Sequence, residues 1–139
     1  MKCVYSVFFT KTKKNVLVEV PDLEILTEGK NMADAIYMAR DAIGVTGIAL
    51  EDDGQKIPKP SDNINIKNAT FKNEGETIVS MVDIDFLDYR RSIDNKIVRR
   101  NVSLPNWLDR ECEKRQINVS KMLQDSLIKM FNINKPSYV

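Results

Sequence analysis

Three polar side chains alternate along the segment Val98–Leu104 (VRRNVSL) and have the chemistry to contact DNA bases. Arg99, Asn101 and Ser103 occupy every second position, and in a β-strand such residues point to one face. Arginine can clamp the O6 and N7 atoms of guanine, asparagine can pair with N6 and N7 of adenine, and serine can bond either base. The spacing therefore predicts a strand with one face that is chemically suited to base edges.

A second group of residues has the chemistry to hold the DNA backbone. Asn118 stands before a segment of helical apolar periodicity and is predicted to cap it, which leaves amides around Asn118 and Val119 for a phosphate. Lys96, Arg100 and Lys121 would add positive charge. Phosphate contacts of this kind position a protein on DNA and carry no base information.

The sequence contains no histidine, which excludes most side-chain catalysis. Histidine acid/base chemistry, Ser-His-Asp and Cys-His nucleophiles and the usual zinc and copper ligand sets are all ruled out. Carboxylate-held metal ions remain, and Asp83 and Asp85 share one face of a predicted strand. Two-metal hydrolysis needs further carboxylates, for which Asp22, Glu24 and Glu28 are the only obvious candidates. An acidic strand end is the simpler interpretation, so we expect no enzyme activity, metal or cofactor.

The elements that must position the DNA-reading residues form a strand–helix–helix pattern. Val98–Leu104 is predicted as a strand, Pro105 suits a first helical turn, and a break at Ile117-Asn118 separates two helices. About 40 residues of this kind cannot bury enough apolar surface alone, so two chains are expected to pair their strands and interlock their helices. The expected dimer core consists of Val102, Leu104, Trp107, Leu108, Leu123 and Leu127. Assembly of two such dimers into a tetramer is a further alternative.

The first part of the chain predicts an α+β module of order βββαβ over residues 1–85. Its strands are expected over residues 2–10, 16–20, 24–28 and 77–85, where β-branched and aromatic residues are frequent. A helix capped by Asn31 is expected over residues 32–51; Gly44 and Gly47 weaken its second half, which leaves a break there open as an alternative. Residues 86–97 are assigned to a linker or short helical connector, and residues 98–134 to the second domain.

The net charge of +1 hides an uneven distribution. Residues 15–88 contain six basic and fifteen acidic residues, a net charge of −9, whereas residues 89–100 contain five basic residues and one acidic residue. An acidic body suits a basic protein partner, and a basic segment suits DNA. The apolar runs are too short for a membrane span, and two cysteines cannot frame a disulfide scaffold. The expected location is therefore the cytoplasm.

The second part of the chain resembles the ribbon-helix-helix family. The resemblance rests on RRNVSLPNWLDRECEKRQINVSKMLQDSL, in which strand alternation, Pro105, the inter-helix turn and both apolar stripes agree. Gln116 stands where this family often has glycine. The resemblance implies an obligate dimer that inserts a two-stranded ribbon into the major groove of operator DNA.

The first part resembles the N-terminal domain of HicB-type antitoxins. The matching motifs occur in the family's order and are Val20-Pro21-Asp22-Leu23, Gly29, Asp34-Ala35, Asp53-Gly54 and Ile57-Pro58-Lys59-Pro60-Ser61. Glu24-Ile25 departs from the pattern, since the family often continues with Pro-Gly-Cys there. Together with the ribbon-helix-helix segment, the resemblance covers nearly the whole chain.

This resemblance implies a partial ribonuclease-H-like first domain that binds and covers a small, basic, mRNA-cleaving toxin of the HicA type. It also implies that the second domain represses the shared operon. Charge alone suggests the toxin-contacting residues, which would be Asp22, Glu24, Glu28, Glu51, Asp52 and Asp53. The alternative is a ligand-responsive ribbon-helix-helix repressor without a toxin partner; a metal-sensing version would need ligands that a histidine-free chain lacks.

Overall fold

A computed structural model describes residues 2–94 and 96–133 of the 139-residue chain. The chain divides into two compact units, residues 1–95 and residues 96–139. None of the helices in the described residues is long and apolar enough to cross a membrane.

The first unit is built on a four-stranded antiparallel sheet of order β3-β2-β1-β4. The strands are β1 (Lys2–Lys11), β2 (Val16–Val20), β3 (Ile25–Gly29) and β4 (Glu76–Asp85). A helix, α1 (Met32–Asp52), lies between β3 and β4 in the sequence. The predicted βββαβ order and α+β class are thus confirmed, with no strand or helix end shifted by more than one residue.

The core lies between α1 and one face of the sheet. Tyr5, Val7 and Phe9 alternate along β1 and are fully buried, since every second side chain of a strand points to the same face. They pack in one cluster with alternate residues of β2 and β4 and with Ala35, Ala39 and Ile43 of α1. The small alanines let the helix approach the sheet closely.

Helix α1 begins at its predicted cap and runs over the predicted range without a break. The side chain of Asn31 accepts a hydrogen bond from the Asp34 N–H at 2.9 Å, and the helix then continues without interruption to Asp52. Gly44 and Gly47 are buried within it. A Cβ at Gly44 would overlap the ring of Tyr89, and a Cβ at Gly47 the ring of Phe86. The alternative of a break is therefore not realised, and the two glycines make room for two aromatic rings.

Those rings belong to α2 (Phe86–Ile93), which occupies most of the segment assigned to a linker or connector. Its first turn is capped by Asp85, whose carboxylate accepts from the Leu87 and Asp88 N–H groups. Phe86 is buried in the core. The helix is therefore a packed part of the first unit over these eight residues.

The long connection between α1 and β4 is fixed to the sheet at three points. The hydroxyl of the fully buried Tyr5 donates to the Pro58 carbonyl at 2.7 Å. The backbone N–H and hydroxyl of Ser61 both donate to Asp22, and those of Thr70 both donate to Glu19. The Ile-Pro-x-Pro-Ser motif thus has a structural role.

The second unit contains two helices, α3 (Asn106–Lys114) and α4 (Val119–Met130). Between them Gln116 adopts the left-handed conformation with φ of 54°. Its N–H bonds the Glu113 carbonyl, and the Ile117 N–H bonds the Cys112 carbonyl. This pair of bonds defines a helix end at which glycine is preferred, which gives a physical reason for the glycine that the resemblance led us to expect.

Residues 98–104 were predicted as a strand, and the single chain does not form it. The segment lies outside every helix and strand of the described residues, because a β-strand requires a neighbouring strand for its ladder bonds. Residue 134, the end of the second predicted domain, lies outside the described residues.

Candidate functional surfaces

The side chains predicted to contact DNA bases lie on one exposed segment. Arg99, Asn101 and Ser103 are solvent-exposed, so no packing role within the chain accounts for them. Exposed polar groups at alternate positions are the chemistry that base edges in a groove require. Their relative orientation depends on the strand that the single chain does not form.

The start of α4 has the predicted cap. The side chain of Asn118 accepts a hydrogen bond from the Lys121 N–H at 3.1 Å. This bond satisfies one amide of the first turn and leaves the earlier amides, including that of Val119, at the positive end of the helix dipole. The side chains of Lys96, Arg100 and Lys121 are exposed. The geometry suits a phosphate at the helix start.

The apolar side chains of the second unit are not buried. No residue in the described part of this unit, 96–133, is classed as buried. Trp107 is 68% exposed, and Leu123 and Leu127 are close to 40%. The other residues of the predicted dimer core, Val102, Leu104 and Leu108, are likewise exposed or only half-buried. A single chain thus leaves this apolar surface in water, which costs free energy.

Four of the six acidic residues suggested for toxin binding have partners within the chain. Asp22 accepts from Ser61, and Glu28 accepts from the side-chain amide of Asn15 at 2.8 Å. Glu51 and Asp52 accept from the Arg90 guanidinium at 3.4 and 2.8 Å. These carboxylates stabilise turns and helix contacts, so a partner would meet charges that are already partly compensated.

The other two suggested acidic residues lie where the backbone turns. Glu24 ends the short 3-10 turn Pro21–Leu23 in the left-handed conformation with φ of 53°. Asp53 is the C-terminal cap of α1. Both side chains are exposed, which leaves them accessible to a partner.

Asp83 and Asp85, the carboxylate pair on β4, serve different structural roles. The Arg40 guanidinium donates to the Asp83 carboxylate at 3.0 Å, and this hydrogen bond and its charge lower the pKa of Asp83. Asp85 caps α2; its burial opposes ionisation, but the hydrogen bond from the Asp88 N–H helps to lower its pKa. The described residues contain no group of three or more acidic or cysteine side chains arranged to hold a metal ion.

The outer side of β4 is a surface that our sequence reasoning missed. Val79 and Met81 are 42% and 65% exposed, and Ile78 is also exposed. The run Thr77–Met81 is predominantly apolar, and the sequence pattern predicted only that it belongs to a strand over residues 77–85. Its position at the sheet edge depends on the order of four strands, which a local pattern does not give.

Together these features define an α+β protein with a four-stranded antiparallel sheet and a separate helical unit that exposes apolar and basic residues. Residues 5–128 match the sequence model of the HicB-like antitoxins of bacterial toxin–antitoxin systems. The chain belongs to this family, as the resemblance in its motifs led us to expect.

Several solved structures are similar to this chain. A protein of the toxin–antitoxin complex from Streptococcus pneumoniae aligns over 94% of this chain and 99% of its own, with 23% identity and a TM-score of 0.57. The antitoxin HicB of Burkholderia pseudomallei aligns over 96% of this chain and 99% of its own, with 22% identity and a TM-score of 0.49. A chain of the HicA3 and HicB3 toxin–antitoxin complex covers 59% of this chain and 98% of its own, with 29% identity and a TM-score of 0.48. No curated protein sequence matches this chain.

Proposed function

We propose that this antitoxin binds and occludes a small, basic, mRNA-cleaving toxin of the HicA type and represses its own operon. Residues 1–85 would bind the toxin, and residues 98–134 would dimerise and bind operator DNA. Family membership supports the antitoxin role. The observation that carries the DNA-binding role is the exposed apolar surface of the second unit beside an exposed Arg-Asn-Ser set.

Dimerisation follows from the cost of leaving that apolar surface in water. Burial contributes about 25 cal/mol per Å² of apolar area, and a second copy supplies matching side chains. Pairing of residues 98–104 from two chains would also satisfy the backbone groups that the single chain leaves without a ladder. Dimerisation would thus form the two-stranded ribbon and bury the apolar side chains of Val102, Leu104 and Trp107 in a shared core.

The ribbon would then present its polar face to the major groove. Val102 and Leu104 turned inward place Arg99, Asn101 and Ser103 outward. The start of α4, with Asn118 and Val119, would meet a phosphate, and Lys96, Arg100 and Lys121 would strengthen the attraction. Two ribbon strands bring two such sets together, which suits an operator with two related half-sites.

The role is binding rather than catalysis. Asp83 and Asp85 are engaged by Arg40 and by the first turn of α2. The toxin partner is proposed from the family and from the −9 charge of residues 15–88. Charge complementarity speeds association with a basic protein, and apolar burial supplies much of the affinity.

Operator binding is tested with three arginine or asparagine variants. Arg99→Ala and Asn101→Ala are each expected to weaken binding to the cognate operator by about tenfold or more, because a bidentate base contact discriminates by about 1–3 kcal/mol. Arg110→Ala removes the same charge from the exposed side of α3 and serves as the matched control. Fluorescence anisotropy with operator and scrambled DNA measures the effect, and unchanged operator affinity in both ribbon variants would refute the assignment.

The antitoxin role is tested by co-expression with a toxin of the HicA type. The antitoxin is expected to restore the growth of cells that express the toxin, and the two proteins are expected to co-purify. Retained operator binding without rescue or co-purification would favour the ligand-responsive repressor instead.

A further inference from the structure

Strand β4 forms one outer edge of the sheet. Alternate residues of such a strand either bond the neighbouring strand or direct their N–H and C=O groups away from the sheet, and the hairpin bonds show which residues do which. The Thr12 N–H donates to the Asn15 carbonyl at 2.9 Å and closes the β1–β2 hairpin. With the register Thr10↔Leu17, the even residues of β1 therefore exchange bonds with β2. The odd residues of β1 are left to bond β4.

The same parity determines which groups of β4 point outward. Odd residues of β1 pair with even residues of β4, as in Val7↔Ser80. Thr77, Val79, Met81 and Asp83 consequently direct their N–H and C=O groups away from the sheet. Arg40 agrees with this parity, since its Nε–H donates to the Asp83 carbonyl at 3.0 Å from outside the ladder.

The outward groups of Thr77, Val79 and Met81 are open to a further strand. No turn or loop backbone bond in the described residues reaches them. Beside them the loop 63–66 and residues 77–79 line an open groove. Soluble proteins usually protect an edge with lysine, proline or a bulge. Strand β4 contains neither lysine nor proline, and its register with β1 is regular.

The charges around this edge select its occupant. The charged residues of β4 are Glu76, Asp83 and Asp85, which are all acidic, and Asp83 is already paired with Arg40 of α1. A second copy of β4 would bring three further carboxylates to the same edge, which like-charge repulsion disfavours. A strand from a basic protein would place cations beside these acids while its backbone bonds the open groups.

We propose that the outer edge of β4 at Thr77–Met81 receives an extended strand of the toxin partner, so that the sheet continues into the toxin. Val79 and Met81 would bury their exposed side chains against it. This inference rests on the proposed function, because it takes the partner to be the basic toxin. The acidic residues around α1 and β3 would then contribute charge to the approach rather than the main contact.

Hydrogen exchange on the wild-type protein tests the parity directly. In the free protein the amides of Thr77, Val79 and Met81 are expected to exchange fast, and those of Ile78, Ser80 and Val82 slowly, because only the latter bond β1. Addition of a catalytically inactivated HicA-type toxin is expected to slow the odd-numbered amides at least about tenfold, since hydrogen-bonded amides are protected. Unchanged exchange at all three in a formed complex would overturn the proposal.

A proline pair tests the edge by mutation. Met81→Pro removes an outward N–H without breaking a ladder bond, and edge strands tolerate proline. Leu26→Pro is the matched control, because register and parity make Leu26 the outward equivalent on the opposite edge strand, β3. Toxin binding is expected to weaken at least about tenfold in Met81→Pro and to stay at the wild-type level in Leu26→Pro, with circular dichroism reporting the fold.

The possible outcomes separate the two proposals. Wild-type affinity in a folded Met81→Pro protein would overturn the strand addition and leave the antitoxin role intact. Failure of the wild-type protein to bind the toxin would overturn both. Self-association of the wild-type protein that Met81→Pro abolishes, with toxin binding retained, would identify the occupant as a second copy instead. If the proline variant does not fold, the exchange data on the wild-type protein decide.

Discussion

Ser61 donates two hydrogen bonds to the carboxylate of Asp22, one from its backbone N–H at 2.8 Å and one from its hydroxyl at 2.6 Å. These bonds join residues 39 positions apart. They connect the Pro-Asp-Leu motif after β2 to the Ile-Pro-x-Pro-Ser motif after α1. Two motifs that are separate in the sequence are therefore in direct contact in the fold.

Replacement of Asp22 by alanine is expected to lower the free energy of unfolding by about 1 kcal/mol. A hydrogen bond to a charged group contributes more than a neutral one, and exposure to solvent reduces the gain. Glu24→Ala removes a carboxylate from the same turn and is expected to have a smaller effect. Urea unfolding of the two variants measures the difference, and equal midpoints would contradict a stabilising role for the Asp22–Ser61 pair.

Gly47→Ala is expected to destabilise the protein, by about 1–3 kcal/mol, because the new Cβ overlaps the Phe86 ring. Helix propensity alone favours the opposite sign, since alanine stabilises a helix by about 1 kcal/mol relative to glycine. Val45→Ala, at an exposed position two residues earlier, is the control and is expected to change stability little. A more stable Gly47→Ala protein would exclude the packing that we describe between α1 and α2.

Gln116→Gly is expected to stabilise the second unit by about 1 kcal/mol. Gln116 has a φ of 54°, a conformation that glycine adopts without the steric cost of a Cβ. Arg115→Gly is the control, because Arg115 has a φ of −93° and gains nothing from glycine. Thermal unfolding at fixed protein concentration compares the two, and a loss of stability in both would argue against the left-handed turn.

Alkaline pH is expected to destabilise the first unit through two tyrosines. Burial raises the pKa of Tyr5 to about 12, and nearby Cys3 and Asp22 contribute. Burial and the hydrogen bond to Asp41 raise the pKa of Tyr89 to about 12. An unfolded tyrosine ionises near pH 10. Between pH 10 and 12 the unfolded chain therefore holds fewer protons than the folded one, and the free energy of unfolding falls as pH rises.

The slope with pH can be assigned by mutation. Each fully contributing tyrosine adds about 1.4 kcal/mol per pH unit to the fall, so Tyr89→Phe is expected to flatten the slope between pH 10 and 12. Asp41→Asn keeps a hydrogen-bond acceptor and removes the charge, and a partial flattening is expected. Urea titrations at several pH values measure the slopes, and the same slope in the wild-type protein and a Tyr5→Phe/Tyr89→Phe variant would contradict the assignment.

The stability of the second unit is expected to depend on protein concentration. Its apolar stripe is exposed in one chain, and mass action favours the folded state when a partner copy covers that stripe. Leu127→Ala is expected to lower the unfolding midpoint and strengthen its dependence on concentration. Val45→Ala, which changes an exposed residue of the first unit, is the control. Midpoints that stay constant over a hundredfold dilution would contradict dimerisation.

Local signals predicted much of this fold. Strand alternation in β1 and β2 and the caps at Asn31 and Asn118 all act within a few residues. A side chain that bonds an amide three positions away leaves a sequence pattern that can be recognised directly. The order of the elements in the first unit follows from such signals.

Long-range packing was harder to predict. Gly44 and Gly47 weaken a helix by propensity, and only the rings of Tyr89 and Phe86 explain why the helix continues. Net charge likewise cannot show that Asp22 is engaged by Ser61. The segment 98–104 is proposed to become a strand only when two chains pair, and a single chain has no partner for the ladder bonds of such a strand.

The fluorescence of Trp107 distinguishes the second unit from the first. Trp107 is the only tryptophan of the chain, and it lies on α3 with 68% of its surface exposed. Indole emission therefore reports on the second unit alone, whereas the buried rings of Tyr5 and Phe9 lie in the first. A blue shift of that emission as concentration rises would follow the pairing of two chains without any label.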